Sequence, residues 1–275
     1  MTELKYKFTN DILFKMLFVK YPDLLEKLVA VLLKIQSDRI GKLEIRNPEM
    51  PPENMGDRFC RLDINMEVDG QRVDLEIQVK DEGDYPERTL FYWAREYSTA
   101  LHISGKYADL PRTIIISIVG FKLFDCVEYH SEYQPLEVTR HTALSDRMVL
   151  HYYELQKLPI AVTADNDLEL WLSLFKAKTE EELSKIEQLE VPEMNEAINA
   201  YRHITVTSEF REMERLRTKA RHDEAQALYN AERKGRQEGI FEIARNLLRM
   251  DIPLERIIEA TGLTHEEIKT LNITK

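Results

Sequence analysis

Four polar side chains stand out for the chemistry their types and spacing allow: Asp63, Glu76, Gln78 and Lys80. In Arg61–Val68, Leu62, Ile64, Met66 and Val68 share one face, and Arg61, Asp63, Asn65 and Glu67 share the other. After Asp69-Gly70, Val73, Leu75, Ile77 and Val79 form an apolar face opposite Asp74, Glu76, Gln78 and Lys80. Two alternating runs around Asp-Gly predict a β-hairpin. A two-residue loop makes the numbers of paired residues sum to 139, so Met66 faces Val73, Ile64 faces Leu75 and Glu67 faces Arg72. A slip of one residue would mix the two faces.

The same register sets Asp63 against Glu76 in a non-hydrogen-bonded pair, with Cβ atoms roughly 4.5–5.5 Å apart. At about 5 Å and an effective dielectric near 20, two carboxylates repel by roughly 3 kcal/mol. A divalent cation between them would remove that cost. Oxygen ligands with no neighbouring Cys or His select Mg²⁺ or Mn²⁺ over zinc. Gln78 and Lys80 would add a neutral hydrogen-bonder and an amine, which suits water activation and phosphate binding. A fully solvated polar face, with Arg61 softening the repulsion, explains the same pattern without a metal. The pattern alone leaves both open.

The elements around the hairpin follow from periodicity and punctuation. Thr9 or Asn10 can cap a helix opening at Asp11, Pro22 interrupts it, and Asp23–Ile35 resumes an apolar helix. Lys42–Arg46 alternates weakly as a strand, and Asn47–Gly56 is a Pro-rich loop. Pro86 suits the first turn of a helix reaching about Ser104. Thr113–Val119 is almost wholly apolar, as in a strand covered on both faces. Shorter strands are expected at Cys126–Tyr129 and Met148–Tyr153. This order is an α/β signature. From about Leu168 the chain reads as helix only: 168–175, 180–189, 193–204 and 208–233. The composition change suggests two regions, 1–175 and 176–275, unless the later helices simply pack on the first.

Composition limits the function classes. Of 275 residues, 38 are Lys or Arg and 49 Asp or Glu, a formal charge of −11, which argues against coating DNA or anionic membrane by bulk attraction. A local basic cleft stays compatible with it. Cys60 and Cys126 cannot build a disulfide framework and fit a reducing compartment. No signal peptide is evident, and the longest apolar runs, Leu28–Leu33 and Ile114–Val119, are too short to span a membrane. A cytoplasmic protein is expected.

Asp63 followed across a hairpin by Glu76-Ile77-Gln78 resembles the PD-(D/E)XK nuclease superfamily, in particular its recombination-promoting nuclease, or transposase-like (Rpn), branch. The opening Phe8–Lys15, the run Arg61-Leu62-Asp63-Ile64 and the segment Arg88–Tyr97 carry that likeness. Gly105-Lys106-Tyr107 and Glu154-Leu155-Gln156-Lys157 extend it over roughly residues 6–158. The resemblance implies a restriction-endonuclease-like α/β core, a mixed and mainly four-stranded sheet flanked by helices, followed by an all-helical C-terminal region. It implies a DNA endonuclease that hydrolyses phosphodiesters with Mg²⁺ or Mn²⁺, tied to recombination or mobile elements. Asp63 corresponds to the family's aspartate and Glu76 to its second acidic metal ligand.

Gln78 stands where the superfamily usually has lysine, and Leu62 where its name has proline. Lys80 is one candidate to supply the missing charge; orientation of water by Gln78 is the other. Asp11 corresponds to an extra acidic residue near the metal, although a capping or dipole role at a helix start accounts for it equally well. Arg88 and Tyr92, at i and i+4, are candidate phosphate contacts, with a structural arginine beside the acidic face as the alternative. The substitution at Gln78 keeps a non-cleaving nucleic-acid binder open, and the long tail keeps open a partner-regulated defence or interaction protein.

The tail mixes Arg211, Arg215, Arg217, Lys219, Arg221, Arg233, Lys234 and Arg236 with acidic residues and suits a solvated or self-associating helix, including a homo-oligomer contact. Pro253–Leu271 has helix-turn-helix rhythm, but Glu266-Glu267-Ile268-Lys269 offers little to read a DNA groove. His141, His151, His203 and His265 show no ligand spacing in sequence.

Overall fold

In the structure, a computed structural model that describes residues 2–36, 40–46, 64–101 and 105–271, the hairpin forms in the expected register. Strands β2 (Ile64–Val68) and β3 (Gln71–Gln78) pair Ile64 with Leu75, Met66 with Val73 and Glu67 with Arg72. Asp69 and Gly70 have φ of 50° and 77°, the positive values a two-residue hairpin turn demands. The Asp69 carboxylate accepts the backbone N–H groups of Gly41 (3.1 Å) and Lys42 (2.8 Å). That anchors the entry to β1 (Leu43–Ile45), antiparallel to β2. The second run is shorter than its alternation suggested: β3 ends at Gln78, and Val79 is 56% exposed instead of continuing the apolar face.

Beyond the hairpin the sheet turns parallel. β3 pairs in parallel with β4 (Thr113–Val119), and β4 with β6 (Met148–Glu154). Strand β5 (His130–Tyr133) closes the far edge antiparallel to β6, giving the order β1-β2-β3-β4-β6-β5. The sheet is therefore mixed, as expected, with six strands instead of mainly four. The strand expected at 126–129 lies at 130–133.

Both faces are covered, by unequal layers. One face carries Ile64, Val73, Leu75, Ile116, Ile118 and Tyr153. It shares its core with α1 (Asp11–Lys20), α2 (Pro22–Leu32), α4 (Asp167–Lys176), α5 (Glu180–Glu187) and α6 (Pro192–Thr205). Helix α1 is apolar almost all round, with every residue from Ile12 to Phe18 buried, and Asn10 caps it by accepting from Leu13 N–H at 2.9 Å. The other face carries Ile115, Val119, Leu150 and Tyr152 under α3 (Tyr85–Thr99), through Tyr85 and Trp93. All seven residues of β4, including Thr113 and Ser117, are buried, as an almost wholly apolar run predicts.

Helices α4–α6 share the core of the sheet. The chain forms two compact units, Met1–Glu214 and Arg215–Lys275. Helix α7 (Ser208–Arg249) runs past its expected end at Arg233, through Gly235 and Gly239. Each glycine costs about 1 kcal/mol against alanine without breaking the helix. Its last turns pack with α8 (Leu254–Thr261) and α9 (His265–Thr270) around Ala244, Ile257, Leu263 and Ile268. Gly262, at φ 71°, caps α8 in the left-handed conformation. Among the described residues no helix is long and apolar enough to cross a membrane.

Candidate active site

Strand β3 places Glu76 at the seam where the antiparallel hairpin meets the parallel strands. Its register partner on β4 is Ser117, whose own partner on β6 is Tyr152. Alternation turns Glu76 toward the face that α3 covers. The result is a buried carboxylate: Glu76 is 6% exposed, as is Asp74 on the same face. This is not a solvated surface. Pro86 lies in the first turn of α3, and the helix sets Tyr85, 1% exposed, over the strand. The Tyr85 hydroxyl donates to Glu76 Oε2 at 3.1 Å. Burial, then the neighbouring Glu76 charge, pushes that hydroxyl well above the ordinary tyrosine range, so it stays protonated and available as a donor. Among the described residues Ser117 Oγ lacks a well-aligned hydrogen bond, yet it lies near enough to the Tyr85 hydroxyl to oppose the upward shift in part.

Arg88 lies one turn along α3, its guanidinium 4.8 Å from the centroid of the Tyr85 ring. Its Nη1 also donates to Glu82 Oε2 at 2.8 Å. Arg88 therefore buttresses the tyrosine that holds Glu76. Tyr92, one turn further, is half-buried beside Phe91. Thr89 and Tyr152 join their hydroxyls, and Trp93 Nε1 donates to the Thr113 carbonyl at 3.1 Å, fixing α3 to β4 and β6.

Gln78, the last residue of β3, donates from Nε2 to the Lys80 carbonyl at 2.8 Å. Lys80 is exposed and lies beyond the strand, so alternation does not carry it onto the Glu76 face. Gly120 closes the space beside this end: its N–H donates to the Gln78 carbonyl at 2.8 Å, and an added Cβ would sit 3.3 Å from Val79 Cα. Asp11 is half-buried in the first turn of α1, and its Oδ1 accepts from Ile12 N–H at 3.1 Å. Asp63, the other predicted metal ligand, lies outside the described residues. The structure thus joins Glu76 to Arg88 through Tyr85 and pairs Gln78 with the Lys80 backbone.

Sequence reasoning missed Tyr85 and the burial of Asp74. Alternation assigns faces, but only α3 decides that the polar face is covered. It also missed a clamp in Glu154-Leu155-Gln156-Lys157. Glu154 accepts from Leu123 N–H (2.6 Å) and Phe124 N–H (3.3 Å) and pairs with Lys157 Nζ at 2.6 Å. Lys157 donates in turn to the Phe124 carbonyl at 2.8 Å. Asp74 and Glu76 lie on this buried face, with the Tyr85 hydroxyl on Glu76 and Ser117 as its register partner, and β3, β4 and α3 hold no Cys or His.

A mixed sheet with helices on both faces and acidic side chains at the hairpin seam defines a restriction-endonuclease-like α/β fold. Residues 8–231 match the family model described as PD-(D/E)XK nuclease family transposase, and the chain belongs to that family. Searches of curated proteins and of solved structures return no match.

Proposed function

We propose that the protein is a Mg²⁺- or Mn²⁺-dependent DNA endonuclease acting in recombination or the movement of mobile elements. The observation that carries this reading is the buried Glu76 carboxylate, held by Tyr85 on the α3-covered face in a chain of the nuclease family. Glu76 and Asp63 are assigned to the metal, which would polarise a phosphate oxygen and lower the pKa of a bound water. With its amide nitrogen on the Lys80 carbonyl, Gln78 keeps its carboxamide oxygen to orient the attacking water. The attacking water would bond through oxygen to phosphorus and lose a proton as the P–O bond to the leaving strand end breaks and the leaving oxygen takes up a proton. Lys80 and Tyr92 are assigned to phosphate contact, Arg88 to phosphate contact or to support of Tyr85, and Asp11 to the rim near the metal. Binding without cleavage is a second reading, favoured by a glutamine standing where the superfamily usually has a lysine.

Supercoiled plasmid incubated with the full chain in Mg²⁺, Mn²⁺ or Ca²⁺ separates the two. Nicking or linearisation in Mg²⁺ or Mn²⁺, falling at least 100-fold in Glu76→Ala and Asp63→Ala, is expected. Retarded but uncut DNA in every metal would favour the second reading. Cleavage that survives both substitutions would remove the site assignment.

A further inference from the structure

Strand β5 pairs with β6 so that Glu132 lies opposite His151 and His130 opposite Tyr153. His130 and Glu132, two residues apart on β5, meet His151 from β6 there. His130 Nε2 lies 3.1 Å from His151 Nδ1, and Glu132 Oε2 lies 4.0 Å from the same Nδ1. One donor atom from each of the three falls within 4.8 Å of the others. The His130 ring stacks on Tyr153 at 4.5 Å and 10°, and the Tyr153 hydroxyl is tied to the Leu32 carbonyl at 2.6 Å, so the imidazole is held from behind.

We propose that His130, His151 and Glu132 form a second metal site, for a zinc-type divalent transition metal, at the β5–β6 edge of the sheet. Metal–nitrogen bonds of about 2.0–2.1 Å in a tetrahedral site set two nitrogens roughly 3.3 Å apart, so the observed pair needs to open only by a few tenths of an ångström. Glu132 keeps a side chain 37% exposed and has room to close its gap. Two imidazoles and one carboxylate leave a fourth position open, and the nitrogen donors favour zinc or cobalt over magnesium.

Lys34 places positive charge near both rings and Arg112 near His151, and Glu132 supplies the opposing negative charge. The site is separate from Glu76. His151 alternates with Tyr152 along β6, and Tyr152 shares the α3-covered face with Glu76, so the histidines look toward the opposite layer.

The test uses the full chain stripped with EDTA and titrated with Co²⁺, then with competing Zn²⁺. One equivalent of Co²⁺ giving the intense visible band of tetrahedral nitrogen-containing coordination, bleached by Zn²⁺, is expected. Affinity should fall at least tenfold in His130→Gln and in Glu132→Gln, both partly exposed positions whose circular dichroism should match the parent. Glu76→Ala should leave the band intact, which separates this site from the nuclease centre. Absence of the band would overturn the proposal in favour of a plain His–His hydrogen bond. So would a band lost only in Glu76→Ala, or one unchanged in His130→Gln.

Discussion

Neutralising Glu154 should unlock the carboxyl end of the sheet. Its side chain is 0% exposed and that of Lys157 is 6% exposed, so both charges of the 2.6 Å pair are dry. Removing one member of a buried pair costs about 3–5 kcal/mol, because the survivor stays charged without compensation. In Glu154→Gln the carboxamide oxygen can still accept from Leu123 and Phe124 N–H, so the loss falls mainly on Lys157. For a unit of this size each kcal/mol moves the midpoint by about 2–4 °C, giving a drop of roughly 6–20 °C. Both tryptophans, Trp93 and Trp171, belong to the first unit, so their fluorescence follows its unfolding without interference from the second. Glu154→Gln/Lys157→Met should recover more than half of the loss, since an apolar pair replaces a broken ionic one. A single Glu154→Gln within about 1 kcal/mol of the parent, or a double variant no better than the single, would refute the clamp.

Other perturbations test the neighbouring contacts. Tyr85→Phe deletes a hydrogen bond to a buried charged acceptor, about 1.5–3 kcal/mol, and should lower the melting midpoint by roughly 3–12 °C; an unchanged midpoint would deny Tyr85 its hold on Glu76. Gly120→Ala sets a methyl 3.3 Å from Val79 Cα and should cost about 1–3 kcal/mol by tryptophan-monitored urea unfolding, whereas no change would mean that β3 and β4 part freely there. Burial pushes the Tyr201 hydroxyl, which donates to the Tyr6 carbonyl, up to about 12, while in the unfolded chain it ionises near 10. Its contribution is therefore complete below pH 10 and is lost as pH rises toward 12, by about 2–3 kcal/mol. Urea midpoints should fall across that window, and less steeply in Tyr201→Phe; parallel curves would contradict the assignment.

The hairpin was legible because the turn fixes the register by arithmetic: Asp69-Gly70 dictates the pairing, and Ile64–Leu75 obeys it. Thr113–Val119 was legible as a central strand because a continuous apolar run has few other uses. Edge strand β5 was misplaced because His130-Ser131-Glu132-Tyr133 has no periodicity of its own; only β6 defines it. For the same reason His130 and Glu132 could not be matched to His151, since their meeting depends on that register. Helix α7 runs on from Arg233 to Arg249 through Gly235 and Gly239, since isolated glycines are tolerated within a helix. At the site, the polar stripe holding Glu76 was visible, but its burial depends on Tyr85 arriving from α3, a tertiary event that alternation does not encode.

The position of α1 in the fold sets a constraint on how the chain is made. Its apolar residues find partners late in the sequence: Phe14 packs on Phe175, Phe18 on Trp171, and Phe8, just before the helix, on Tyr201. A ribosome adding about 5–20 residues per second needs roughly 10–40 s between delivering α1 and delivering α6. For that interval one of the most apolar helices of the protein has been synthesised and its binding cleft has not. The nascent chain is thus a natural client for holdase chaperones, and slowing translation before Pro192 would lengthen its exposure in proportion.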